Sequence, residues 1–347
     1  MHVLRLCAAA VFLSWAGPAW ARFALDIDVS QATAVLDALE RGDTTAADAI
    51  VAMRPTQELI SHHAPFSDQI TASSWRESLV EAISGASRRD IYGLARLSEQ
   101  AGAVRASIAT IQADPEQFAR DVEAIVAPYA PPDVQFDVTL WFVVGVPGSG
   151  WTDNPNEFFF DIGRAAGDLE GAKVVCAHEL YHLVLARLLP APRLAEDSRL
   201  GRAERALLTG INEGMATHVG RFGRGDTGAV SRTNLGFEQT NIRRLQNNFR
   251  LVDALLLAAT RSDAVSADDI DSIAFSGLYS EPGYYVFREM AARIEEARGR
   301  DALVALLHEP PSRFVLTYHE VADADDPTLQ PDTLRIVREL DRRLARR

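Results

Sequence analysis

The stretch Ala177-His178-Glu179-Leu180-Tyr181-His182 sets two imidazoles four residues apart, with a carboxylate beside the first. On a helix, positions i and i+4 share one face, so His178 and His182 can point at a single metal ion. Glu179 falls about 100° further round, beside such an ion, where it could polarise a bound water. The flanks are helical in type: Lys173 to Cys176 precede the motif, Leu183 to Arg187 follow, and Pro190 supplies a stop. This tract is apolar nearly all round, the mark of a buried helix. Polar rings in such a setting are costly unless paired or metal-bound, so the histidines need a partner.

A catalytic zinc takes three protein ligands and keeps a fourth position for water. One long zinc signature would continue with Gly at 185 and His at 188, but Leu185 and Leu188 stand there and exclude it. The other common arrangement draws a glutamate from a second helix. Ile211-Asn212-Glu213-Gly214-Met215-Ala216-Thr217-His218 fits that arrangement. A helix around Ala203 to Leu208 precedes it, and another can begin at Asn212. His218 stays open as an alternative third ligand.

Together the HELYH and NEGMA elements resemble the glutamate-type zinc peptidases, the gluzincins, over roughly Phe136 to Ala292. The resemblance implies His178, His182 and Glu213 as Zn2+ ligands, Glu179 as general base and a peptide or polypeptide as substrate. Thermolysin-like members carry an aspartate four residues after the ligand glutamate, to orient a histidine. Thr217 stands there, so no group that fixes the imidazole tautomers is assigned. Related peptidases often stabilise the oxyanion with a tyrosine or histidine arriving late in the chain. Tyr284 and Tyr285 are the catalytic candidates, in a Gly-Tyr-Tyr element that resembles the family's late motif, although Phe287 replaces its usual small residue. His308, Tyr318 and His319 are weaker alternatives. The reading is hydrolysis of peptide bonds by a metal-activated water. Its rivals are a zinc amidohydrolase for a non-protein substrate and a non-catalytic peptide-binding module on a degenerate scaffold.

Several elements must position these groups. Apolar residues recur at helical spacing from Val29 to Ala130, as in Ala32-Val35-Leu36-Leu39 and Phe118-Val122-Ile125. Ala130-Pro131-Pro132 closes that region. His62-His63 fall in a Ser/Pro-flanked stretch that reads as a solvated turn. From Val134 to Val144 the period changes to two, a strand, and Glu157 to Ile162 is a second one. In gluzincins an edge strand pairs with the substrate backbone. Helical patterns return at Leu235–Thr260, from Gly283 through Ile294, and from Pro331 into a basic tail. The expected fold is a predominantly helical α+β fold with a zincin-like active-site helix pair and a small sheet. Its expected divisions are 1–21, an N-terminal helical region 22–132 and a metallopeptidase domain 133–347.

Met1 to Ala21 reads as a secretory signal, with Arg5, a short apolar run and Ala19-Trp20-Ala21 as the cleavage site. The run is shorter than the roughly 20 residues a membrane span needs. The expectation is an exported protein, periplasmic or secreted from a bacterium, with no stable membrane anchor. Signal removal leaves Cys176 alone, so no internal disulfide forms and the core must supply stability. The formal charge of −13 argues against nucleic acid and anionic membranes as partners.

Overall fold

The computed structural model describes residues 21–86, 90–223, 228–261 and 267–346. The expected export signal, Ala21 apart, lies outside these residues. The first elements are β1 (Arg22–Asp28), α1 (Ser30–Arg41), α2 (Ala47–Val51), α3 (Arg54–His63), α4 (Ala72–Ile83), α5 (Leu94–Ala113) and α6 (Pro115–Val126). A sheet segment follows, β2 (Gln135–Val143), β3 (Gly150–Asn154) and β4 (Glu157–Asp161). The rest is helical: α7 (Leu169–Leu188), α8 (Arg199–Val219), α9 (Ala229–Arg243), α10 (Leu245–Arg261), α11 (Ala267–Ala274), α12 (Pro282–Arg298), α13 (Arg300–Ala305), α14 (Pro311–Val321) and α15 (Pro331–Leu344). The fold is thus the mainly helical α+β class that the residue patterns predict.

The four strands are ordered β1-β2-β4-β3, with β3 antiparallel to β4 and the other pairs parallel. Phe158, Phe159 and Phe160 of β4 are all buried, as an interior strand covered on both faces should be. β1 comes from before the Pro131-Pro132 break and pairs along its length with β2 after it. The sheet therefore joins the two sides of that break. α7 packs against β3 and β4. Its start is fixed by Asp168, whose carboxylate accepts from Gly171 N at 2.9 Å and from Ser231 N at 3.1 Å. One buried acid thus caps α7 and ties the first turn of α9 to it.

Four local readings change. His62 and His63 belong to α3, which starts with Pro55 in its first turn, where proline's fixed φ suits a helix. His63 is buried, its Nδ1 2.9 Å from the Leu59 carbonyl, and burial lowers its pKa to about 4. The Arg199–Val219 segment is one unbroken helix and not two. The Leu235–Thr260 tract instead divides at Arg244 into α9 and α10. Two strands, β1 and β3, were not expected, and β3 is short enough to be hidden among turn residues.

Gly210 does not break α8 because it is a packing residue. Gly210 and Gly214, one turn apart, face Phe287 of α12 in the most extensive helix–helix contact among the described elements. A β-carbon on Gly210 would enter the Phe287 ring, and one on Gly214 would strike Phe287 Cβ and the backbone of Arg288. Bulk at 287 is matched by its absence at 210 and 214. Gly214→Ala should therefore lower stability by about 1–3 kcal/mol through overpacking, although helix propensity alone favours Ala by about 1 kcal/mol. Thermal denaturation followed by circular dichroism measures the sign. An unchanged or raised Tm would contradict the contact.

Candidate active site

α7 and α8 meet so that His178, His182 and Glu213 converge, their ligand atoms all within 4.8 Å of one another. His178 Nε2 lies 3.1 Å from His182 Nε2. Glu213 Oε2 is 3.4 Å from His182 Nε2 and 3.9 Å from His178 Nε2. Donors at about 2.0–2.2 Å from a tetrahedral zinc stand roughly 3.3–3.5 Å apart, so the three spacings bracket that geometry. Two neutral imidazoles and a carboxylate also make up a donor set that zinc favours. Burial first, and then His182, hold the His178 pKa well below its usual range. A neutral ring keeps a lone pair for a metal.

The rings are oriented by α8. The His178 ring hydrogen-bonds the Ala216 carbonyl. The Asn212 amide lies 2.9 Å from His182 Nδ1. It is the amide nitrogen, Nδ2, that faces the ring, and it also lies 3.5 Å from Glu213 Oε1, so one side chain touches two members of the cluster. Thr217, at the position of the aspartate in thermolysin-like peptidases, has a buried Oγ1 without a hydrogen bond among the described residues. A carbonyl and an amide thus do the orienting that the resemblance gives to a carboxylate. His218 does not join the cluster: its Nε2 lies 2.6 Å from Glu295 Oε2.

Glu179 is 7 % exposed and lines a cavity of about 160 Å³ together with His178, Thr217, Tyr284 and Tyr285. Burial drives its carboxyl up to about 7, against the pull of His182 and with help from Glu213 and Glu281. Gly150, the first residue of edge strand β3, lies directly over it. A β-carbon there would come within 2.8 Å of Glu179 Oε1, so glycine lets the strand close on the carboxylate. Beyond it, Trp151 stacks on Phe159 at 4.7 Å and on His62 at 5.2 Å. His62 also meets Asp153 at 2.8 Å. α3 therefore braces the strand that borders the cavity.

Tyr284 and Tyr285 both reach this cavity. The Tyr284 ring lies nearly parallel to His178, and its hydroxyl bonds Glu213. Burial above all, then Glu213 and Glu281, raise its pKa well above normal, so the hydroxyl keeps its proton. Tyr285 instead feels Glu281, Glu238 and Arg288. The weaker late candidates lie outside the cavity lining: Tyr318 donates to the Pro327 carbonyl and His319 accepts from Leu329 N.

Glu281 is a cavity residue that no sequence pattern signalled. It and Ser280 have positive φ, 56° and 64°, the only non-glycine residues so placed among those described. Each costs on the order of 1–3 kcal/mol unless the surroundings hold it. Asn241 Nδ2 donates to the Ser280 carbonyl at 2.6 Å and is itself fixed by Asn248. This strained turn starts α12 and delivers Tyr284 to the cleft.

A family model described as "Putative zinc dependent peptidase (DUF5700)" matches residues 47–326. No curated protein and no solved structure matches the chain. Among the described residues no helix is long and apolar enough to cross a membrane.

Loss of an outer partner of a metal-ligating histidine typically weakens metal affinity 10–100-fold. Asn212→Ala should weaken zinc binding to about that extent, with little change in Tm of the metal-free protein. Competition with a chromogenic chelator reads the affinity. Wild-type affinity in the variant would remove Asn212 from the site.

Proposed function

Since the chain belongs to the zinc-dependent peptidase family whose model it matches, we propose that it hydrolyses peptide bonds in the manner of the gluzincins. His178, His182 and Glu213 hold the zinc in this reading. It is carried by one observation, the convergence of those three ligand atoms beside a cavity that His178 and Glu179 line together. Bound zinc would supply an acidified water and polarisation of the scissile carbonyl.

The chain's own groups do the rest. Glu179 takes the proton from the attacking water and passes it to the leaving amine. Tyr284 turns its hydroxyl from Glu213 to the carbonyl oxygen as negative charge develops there. Tyr285, beside Glu281 and Arg288, shapes the wall of the cleft. β3 is an edge strand next to Glu179, so an extended substrate can add to it by main-chain hydrogen bonds. The segment Met1–Ala21 fits export, which would set the enzyme on unstructured polypeptide in the periplasm or outside the cell.

Glu179→Gln should keep zinc and lower kcat by about 10²–10⁴-fold, the scale of general-base catalysis. Retained hydrolysis would remove Glu179 as the base. Tyr284→Phe should cut kcat by about 10²-fold with KM nearly unchanged, as expected of a donor used only in the transition state. A matching rise in KM at constant kcat would reassign Tyr284 to ground-state binding. Turnover of small amides with no cleavage of any peptide would favour the amidohydrolase.

A further inference from the structure

The catalytic cavity has a larger neighbour. A second cavity of about 610 Å³ shares Ser149, Val175, Asn234 and Glu281 with it. Phe160, Val230 and Phe237 give the second cavity an apolar middle. Arg96 and Arg164 line it as well, and both are exposed to solvent. This is an inversion of sign, since the chain as a whole carries −13. Arg164 Nη2 donates to the Pro147 carbonyl at 2.8 Å, and its Nε lies 3.6 Å from Asp161 Oδ2. That bond anchors the guanidinium at the cavity rim.

Asp161, beneath the cavity, is an acid on which both arginines act, while Asp90 Oδ2 accepts from the backbone N of Arg96. Asp161 is 3 % exposed, and burial raises its pKa to about 7 although Arg164 and Arg96 pull it down. The two guanidinium groups thus give positive charge to the rim of a concave, partly apolar site. At the other end, burial and then Glu213 raise the Glu281 carboxyl. The cavity is thus acidic where it joins the catalytic cleft and basic at its far rim.

We propose that this second cavity is a substrate subsite that reads a carboxylate, with Arg96 and Arg164 as the recognising cations. The proposal rests on the peptidase reading and adds its substrate class: peptides with an acidic group within a few residues of the bond cut. Repulsion by Glu281 keeps the carboxylate away from the catalytic end, and the two guanidinium groups hold it at the rim. The apolar middle accepts the intervening carbon chain. The carboxylate has two sources, an Asp or Glu side chain or the peptide's C-terminus, and one chemistry serves both.

The test uses the zinc-loaded full chain and internally quenched alanine peptides. A single Glu or Gln is moved through each position, and every peptide is made with a free and with an amidated C-terminus. A lower KM for Glu over Gln, or for free acid over amide, is expected, and the arm that responds identifies the source. Arg96→Gln and Arg164→Gln should each raise that KM by about tenfold, the scale of one charge-assisted hydrogen bond. kcat and KM for the neutral amidated peptide should not move. Arg164 also holds the Pro147 carbonyl, so Arg96→Gln keeps the test valid if Arg164→Gln misfolds. Equal cleavage of acidic and neutral peptides, or a preference that survives both substitutions, overturns the subsite and leaves the peptidase reading standing. Failure to cut any peptide overturns the peptidase reading and the subsite with it.

Discussion

The distance between α8 and α12 governs the site. α8 carries Asn212 and Glu213, and α12 begins at the strained turn that delivers Tyr284 and Glu281. Gly210 and Gly214 let the two helices close onto Phe287, and no side chain larger than hydrogen fits at 214 without moving backbone. A helix pair with ordinary side chains at the crossing keeps axes about 8–10 Å apart. Here the glycines allow a closer approach, and the Tyr284 hydroxyl reaches the Glu213 carboxylate as a result. The network behind them locks the arrangement: His218 and Tyr129 both meet Glu295, which Arg300 also contacts.

Charge supplies the second constraint. Glu179 and Glu281 line one small cavity, burial raises both to about 7, and the charge of nearby Glu213 pushes each in the same direction. Arg288 offers little relief, because it is engaged by Glu238 at 2.6 Å. Buried carboxylates of this kind are unfavourable without a compensating cation. A divalent ion at the two imidazoles and Glu213 would supply that compensation, and the pKa of the base would then fall. Metal, base and oxyanion donor are electrostatically one unit in the proposed enzyme.

The grouping of His178, His182 and Glu213 was more legible than the frame around it. His178, Glu179 and His182 lie on one helix, so a local spacing of four fixes their common face. Glu213 could be read because its neighbours make a recognisable element, and the convergence of α7 and α8 brings it to the rings. Asn212 was missed for lack of any sign in its own sequence that its amide would meet a ring thirty residues earlier. A hint lay beside it, in the pairing of an amide with the ligand glutamate. β3 was hidden because Gly150 serves a contact with Glu179, and glycine weakens a strand signal. Glu281 was hidden by strain: a positive φ at serine and glutamate follows from tertiary packing on Asn241 and from no local propensity. His62 and His63 read as polar turn residues, but His62 stacks on Trp151 and His63 meets it edge-on, which draws both against the sheet.

The most direct measurement is native mass spectrometry of the full chain titrated with Zn2+. One ion per chain should bind the wild-type protein, and none at the same concentration after His178→Ala, His182→Ala or Glu213→Ala. Undiminished binding in those three variants, or a wild-type chain that takes up no zinc, would contradict the metal centre on which the peptidase rests.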